Sequence, residues 1–487
     1  MAVSPIIMAV AVVVLSVLFL LWRKADVSLD PDEPPIALAK IPFIGHILGL
    51  MRYQIEYFEK LCQNNHPIFT LKILSSRIYV VRSPALVSLI FREAKTLSFD
   101  VFTTQFLKHA LDGPQHVIDV FENTTYLPEL HVQMYGALAP GPDLTDSNLR
   151  VLNVLSRYLV PQKTNLYALL REAYTIAMGE SFYGPNNPVP ELVDEIWNFE
   201  ESLGLMMIGL SPRHLAPTAY HAQKILAQKF KTYYDASLEI HGNALIRGRA
   251  RVARDHNLDN EVLGIFEMAI CFAPVTNVVP SVFWLLSFIY TDAALLADLR
   301  EELASVFGKE GRGGVIDVER LKKCRLLVST FQEMQRVKQH GNAVRFVTAD
   351  MRLDGYLLKE GSIVQIPSAV LHTDVAVWGK DAKSFDARRF LGVDEKAARQ
   401  KGFMPFGGGK HLCPGRYLAF VETLGFVAAF VMGFEMDGAQ RVGSRLQKLG
   451  FGARKPERDL DVVISRRKGF EEVRWGFVSG GKEGGVG

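Results

Sequence analysis

Cysteine is scarce in this sequence and never paired. The four cysteines, Cys62, Cys271, Cys324 and Cys413, lie far apart with no Cys-x-x-Cys among them. That spacing argues against a zinc site or a disulfide scaffold and suits a reducing compartment. An excess of one charge is lacking as well. The formal net charge is only +3, with 22% charged against 48% apolar residues. Such a composition describes a globular protein with a large core and excludes a nucleic-acid binder or a disordered chain. No internal repeat, no low-complexity stretch before the tail and no clear internal linker divides the 487 residues. At that length the chain forms two or more domains or one unusually large one.

The N-terminus departs from a soluble pattern. Ile6 to Trp22 is continuously apolar apart from Ser16, and with the preceding residues it is long enough to span a bilayer. Arg23 and Lys24 follow at once and hold the downstream end on the cytoplasmic side. A cleaved signal peptide is the alternative. The run is long for a signal core, no basic residue precedes it and no small-residue cleavage site follows, so residues 1–24 read as a retained anchor. Pro31, Pro34, Pro35 and Pro42 make residues 25–45 a stiff linker, and the glycine-rich residues 479–487 a flexible tail. Asn123-Thr124-Thr125 is a glycosylation sequon that a cytoplasmic domain leaves unused.

The most informative stretch is Phe406-Gly407-Gly408-Gly409-Lys410-His411-Leu412-Cys413-Pro414-Gly415-Arg416, which runs into the apolar segment Tyr417 to Val431. Three glycines let backbone sit where side chains would collide. The turn ends at an expected helix N-terminus, whose dipole and free N–H groups favour a sulfur anion. A buried structural cysteine beside a tight turn is the other reading of these residues. The stretch resembles the haem-binding loop of the cytochrome P-450 family, Phe-x-x-Gly-x-x-x-Cys-x-Gly, through Phe406, Gly409, Cys413 and Gly415. The resemblance implies that Cys413 is the axial ligand of a haem b iron, an arrangement that favours O–O cleavage. It further implies a mainly α fold with smaller β-sheets, the cytochrome P-450 fold, in residues 46–478 behind the N-terminal transmembrane helix.

Taken in order, Ile68 to Val81 reads as a hairpin joined at Ser75-Ser76, and Ser83-Pro84 starts a helix through about Ala94. From there to about Asn257 the pattern is helical, broken at Gly113-Pro114, Pro140 to Pro142, Gly184-Pro185 and Pro212. The family's usual Trp-x-x-x-Arg is absent, since Trp197 and the other tryptophans lack that arginine, and one haem propionate contact is unassigned. Glu261 to Tyr290 is long and apolar. Glu267, Asn277, Pro274 and Pro280 favour a central buried helix over a second membrane span. The prolines free the carbonyls of Ile270 and Thr276. Where the family usually has an acid followed by threonine, Ala273-x-x-x-Asn277-x-x-Pro280-x-x-Phe283-Trp284 is similar to the subgroup of sterol 7-alpha-hydroxylases and prostacyclin synthase. Asn277, with Thr276 beside it, is the candidate catalytic pair. An amide orients a bound peroxide but has no acid proton to deliver. A structural role for Asn277, satisfying the carbonyl freed by Pro280, stands beside this one.

Asp292 caps a helix to Phe307, Gly308 to Gly314 reads as a loop, and Asp317 opens a helix that carries Glu333 and Arg336 three residues apart on one face. With Arg389 in Phe385-Asp386-Ala387-Arg388-Arg389-Phe390, these match the family's buried triad in the expected order before Cys413, with Ala387 where proline is more usual. The resemblance implies that the triad locks the cysteine loop. Arg345, on an expected strand, and His411 are the candidate propionate contacts; a loop histidine bonded to backbone is the alternative for His411. Lys396, Arg399, Lys401, Lys410 and Arg416 form a basic segment that reads either as a patch steering an acidic electron donor or as an ordinary basic surface.

The resulting expectation is a membrane-anchored haem-thiolate monooxygenase of the endoplasmic reticulum, single-pass, with its catalytic domain facing the cytoplasm. Its implied partners are an NADPH-cytochrome reductase, which is a membrane flavoprotein, cytochrome b5 as an optional second donor, and a lipophilic sterol, terpenoid or other secondary metabolite. Two alternatives stay open. One is an isomerase or dehydratase acting on a peroxide substrate without a reductase, and the other is a non-enzymatic haem- or steroid-binding membrane protein.

Overall fold

The structure, a computed structural model, describes residues 29–38, 45–53, 56–61, 66–73, 76–209, 211–445 and 452–480. The expected anchor at 1–24, residues 25–28 and 39–44 of the expected linker, the turn residue Ser75, the Gly450-Phe451 pair and residues 481–487 of the tail lie outside them. The described part is mainly helical with small sheets. It divides into two compact units, Met1–Phe99 with Asn342–Leu371, and Asp100–Gly341 with His372–Gly487.

In the first unit the expected hairpin forms. β1 (Ile68–Ile73) and β2 (Ser76–Val81) pair antiparallel from Ile68 opposite Val81 to Ile73 opposite Ser76. With β3 (Leu97–Ser98), β4 (Asn342–Val347) and β5 (Ile363–Pro367) they make a sheet in the order β1-β2-β5-β4-β3. Ser83 caps the helix Pro84–Ile90, its hydroxyl accepting from the Leu86 N–H, and Pro84 fills the first turn, where an N–H has no helical partner. That helix ends before the expected Ala94. Leu97 must pair with Val347 of β4, so the residues after Ile90 turn back toward the sheet.

The second unit is helical. Its argument-bearing helices are α1 (Tyr126–Ala137), α2 (Pro142–Leu155), α3 (Leu166–Tyr183), α4 (Pro217–Asp235), α5 (Asn260–Tyr290), α6 (Ala293–Arg312), α7 (Arg325–Lys338) and α8 (Arg416–Gly433). Pro142 opens α2 and Gly184 ends α3, as the sequence breaks predict. α5 is the centre, with α3 and α4 packed along it. Asp259 caps it by accepting from the Val262 N–H, and its buried side chains lie on every face. Each proline inside it costs about 3 kcal/mol of helix stability. Burying one or two large apolar side chains at about 1.5–3 kcal/mol each offsets that, so packing holds this helix. α5 and α8 are both long and apolar enough to cross a membrane, and both are mostly buried within the unit.

Glu267 is fully buried on α5, and three groups converge on its carboxylate. Arg249 reaches it at 3.1 Å, and the Tyr183 and Tyr234 hydroxyls donate at 2.8 and 2.9 Å, tying α3, α4 and the helix Ala244–Asp255 to α5. A buried carboxylate is tolerated when it is paired and hydrogen-bonded in this way.

Two expectations are corrected. The loop expected at Gly308 to Gly314 is helical as far as Arg312, with the break confined to Gly308 at φ 56°, ψ −132°, a left-handed value that glycine takes without penalty. The helix expected from Asp317 is split. Asp317 caps a short 3-10 turn, Val318–Lys323, and α7 starts afresh at Arg325, its Leu326 and Leu327 amides donating to Glu302 at 2.7 and 3.0 Å. Two small sheets complete the unit: Phe434–Asp437, Asp461–Arg466 and Gln162–Asn165 pair antiparallel, and Val315–Asp317 pairs parallel with Gly476–Val478.

Candidate haem-thiolate site

The cysteine loop is closed by its own backbone. The Cys413 N–H donates to Phe406 O at 3.0 Å and the Leu412 N–H to Gly409 O at 3.2 Å. Gly407 and Gly409 take φ of 72° and 70°, which strains any other residue, whereas Gly408 is extended. Gly415 stands at the N-cap of α8, and Arg416 donates to Cys413 O at 2.9 Å. The thiol is governed by two opposed influences. Burial pushes Cys413 up, while the Gly415 N–H and the Arg416 guanidinium pull it down, and burial is the larger. The helix end therefore does not by itself make the thiolate; a metal cation at the sulfur removes the proton outright.

Cys413 opens onto a cavity of about 420 Å³. Met134 of α1 and Leu138 at its C-cap, Ile270, Ala273 and Asn277 of α5, Phe331 of α7, and Phe406 contribute to its walls. No other cysteine lines it among the described residues. One thiol facing an otherwise largely apolar space fits an iron-bearing apolar ring held by a single axial sulfur.

On α5, Asn277 lines the cavity and Thr276 does not. Neighbours on a helix point about 100° apart, and Thr276 is turned into the packed interior. The Asn277 amide is engaged at both ends: Oδ1 accepts from the Ala453 N–H at 3.0 Å and Nδ2 donates to Ala273 O at 3.4 Å. The expectation that it satisfies the carbonyl freed by Pro280 is thus corrected, since that carbonyl belongs to Thr276.

Glu333, Arg336 and Arg389 come together. Arg336 holds Glu333 in a bidentate pair, 2.7 Å on each side, and Arg389 reaches the same carboxylate at 3.0 Å. Arg336 also donates to His372 O at 2.6 Å and to the Ala382 carbonyl, and Arg389 pairs with Asp381 at 2.6 Å. The link to the cysteine loop is indirect. The Met404 N–H donates to His372 Nε2 at 3.1 Å, so the triad holds His372 and His372 holds the entry of the loop. Burial and Arg336 lower His372 to about 3, which keeps it neutral and able to accept.

His411 lies 3.7 Å from Asp100 Oδ1 and 5.3 Å, ring to ring, from His131 of α1. Tyr135 of α1 donates to Lys410 O at 3.0 Å and to the Leu412 carbonyl, fastening α1 to the loop. Arg345 belongs to the first unit, on β4, where it donates to Val344 O at 2.7 Å and lies over the rings of Phe91 and Phe99. Trp197 is a core residue, bonded to Thr175 at 3.1 Å beneath the Arg171 guanidinium. In the basic segment Arg399 pairs with Glu395 and Arg416 turns to the loop, while Lys396, Lys401 and Lys410 are exposed.

Sequence reasoning missed His131, Tyr135, His372 and Glu422. Only the last carried a signal, as the sole acid in the apolar run of α8. The others are defined by contacts between distant segments.

A lone cysteine on a glycine-built loop at the head of a buried helix, open to a largely apolar cavity, defines a haem-thiolate protein. Comparisons with known proteins carry the assignment further. Residues 222–461 match the family model described as Cytochrome P450. The chain is 29% identical to a cytochrome P450 monooxygenase of Gibberella zeae, an alignment covering 98% of this chain and 97% of that one. It is 29% identical to the cytochrome P450 monooxygenase nodJ of Hypoxylon pulicicidum, over 94% and 93%. To the 24-hydroxycholesterol 7-alpha-hydroxylase of Mus musculus it is 23% identical, over 86% and 89%. The chain belongs to the cytochrome P450 family of monooxygenases, and its cofactor is haem b with a cysteine thiolate on the iron.

Proposed function

We propose that the protein is a membrane-anchored monooxygenase that inserts one atom of dioxygen into a lipophilic substrate: a sterol, a terpenoid or another secondary metabolite. The observation that carries this is the Cys413 sulfur opening onto a largely apolar cavity beside α5. The names of the relatives support it, two fungal monooxygenases and a sterol hydroxylase. The haem supplies the binding and cleavage of dioxygen. Cys413 would hold its iron, Phe406 and Gly409 shape the loop that presents the sulfur, and Glu333, Arg336 and Arg389 hold that loop through His372. His411 and Arg345 are proposed to take the haem carboxylates. Asn277 shapes the oxygen side of the cavity. Its amide has no acid proton and is engaged at both ends, so protons arrive through water. Thr276 is packed behind that wall and is left without a catalytic role in this reading.

Electrons come from NADPH through a membrane flavoprotein reductase, with cytochrome b5 as an optional second donor. The exposed Lys396, Lys401 and Lys410 offer an acidic partner its docking charge. The catalytic part faces the cytoplasm from the endoplasmic reticulum membrane. The test is oxygen provenance: membranes with reductase and a lipophilic extract under heavy-isotope dioxygen, with and without NADPH. Products carrying one labelled atom only with NADPH are expected. Unlabelled products formed without NADPH would favour the isomerase or dehydratase, a reading that the uncharged Asn277 amide also accommodates.

A further inference from the structure

The direction of the Cys413 sulfur is set by the peptide unit before it. The Leu412 carbonyl and the Cys413 N–H are the two ends of one rigid plane, and its rotation fixes φ at Cys413 and so the heading of Cβ and Sγ. The N–H end donates to Phe406 O at 3.0 Å, within the loop. The carbonyl end has no backbone donor among the described residues. Its donor comes from α1, 277 residues away along the chain: the Tyr135 hydroxyl, which also reaches Lys410 O at 3.0 Å. One O–H shared between two carbonyls is a three-centre bond, and it ties α1 to the last residues before the cysteine. With both ends held, the plane cannot turn without breaking a bond.

Tyr135 stands outside the cavity. Met134 of α1 and Leu138 at its C-cap line it, whereas Tyr135, about 100° round the helix from Met134, does not. His131, one turn earlier, meets the phenol edge-on at 6.3 Å. The triad acts at a different point, reaching the entry of the loop at Met404 through His372.

We propose that Tyr135 is a positioning residue for the iron ligand. By pinning the Leu412–Cys413 peptide it keeps the sulfur aimed at the metal, as a second lock on the loop that is independent of the triad. The inference rests on the haem-thiolate reading and adds to it a residue that touches neither iron nor substrate.

The experiment follows the reduced carbon monoxide complex of the holoprotein in urea well below the unfolding transition, where the thiolate-type band gives way with time to that of a haem without its thiolate. Tyr290 supplies the matched control. Its hydroxyl also bonds two carbonyls, Phe430 O at 3.2 Å and Phe434 O at 2.9 Å, but at the far end of α8. Tyr135→Phe is expected to keep its haem and to lose the thiolate-type band roughly three- to tenfold faster than wild type. Tyr290→Phe is expected to match wild type. Tyr135→4-aminophenylalanine, which puts an N–H donor in the place of the hydroxyl, is expected to return the rate toward wild type. Equal rates in wild type and Tyr135→Phe would overturn the inference, as would an amino variant no slower than Tyr135→Phe. Equal acceleration in both phenylalanine variants would mean a general loosening, and loss of haem from Tyr135→Phe would make Tyr135 a cofactor-binding residue; either result also overturns it. A wild type without a thiolate-type band would refute the haem-thiolate reading itself.

Discussion

At Glu422 burial decides the charge. The side chain lines the cavity, its Oε2 has no partner among the described residues, and burial holds the carboxyl well above the usual carboxylate range. The folded state keeps a proton that the unfolded state gives up above its ordinary value of 4.5. Its contribution is therefore intact below that pH and is lost as pH rises. Glu422→Gln keeps a neutral side chain and removes the dependence. Chemical denaturation should show wild type and variant alike near pH 4.5, and the variant gaining up to about 1.4 kcal/mol per pH unit above it. Equal stabilities at pH 8 would mean that the folded carboxyl is charged. Gly452 makes a steric case. It has φ 89°, and a Cβ there would lie 1.8 Å from Asn277 Oδ1. Gly452→Ala should cost about 2–3 kcal/mol, from the left-handed backbone and the loss of the Ala453–Asn277 bond. An unchanged melting temperature would refute that contact. Nothing in the sequence singles out Gly452, because Asn277, which crowds it, is far away along the chain.

At the scale of elements, the lock on the cysteine loop runs from Glu333 through Arg336 and His372 to Met404. Glu333→Gln leaves the buried Arg336 without a carboxylate partner, while Arg389 keeps Asp381, and should cost about 3–5 kcal/mol in equilibrium unfolding. A loss under about 1 kcal/mol would mean that the arginines find other partners. His372 adds a pH signature. Burial and Arg336 lower it from 6.5 to about 3. A depressed folded value means stability that is present above 6.5 and drains away as pH falls toward 3, by about 1.4 kcal/mol per unit. His372→Gln should flatten that acid limb; an equally steep limb would show that another group governs it. Glu333, Arg336, Arg389 and Cys413 were legible because their order and spacing match the motifs that carry the family resemblance; the spacing alone would have fitted a surface ion pair and a structural cysteine. His372 and Asp381 were not, because His372 joins through its backbone carbonyl and a loop contact and Asp381 through a carboxylate on a loop, and neither leaves a periodic trace. The same holds for α7, whose N-terminus is capped by Glu302 of α6 and not by the nearby Asp317.

For the molecule as a whole, hydropathy made α5 legible as a buried helix. Long apolar runs cannot tell a core helix from a membrane span, and Glu267 with its partners settles α5 as the former. Asn123 is exposed at the end of its helix, so compartment alone governs its glycosylation. A cytoplasmic catalytic part predicts that an endoglycosidase leaves the mass of the expressed protein unchanged; a mass loss would reverse the topology. The central claim is that Cys413 carries the haem iron. It is tested most directly by the spectrum of the reduced carbon monoxide complex in wild type, Cys413→Ala and the controls Cys271→Ala and Cys324→Ala. The account predicts a thiolate-type band in wild type and both controls and none in Cys413→Ala, whereas a thiolate-type band that survives in Cys413→Ala would contradict it.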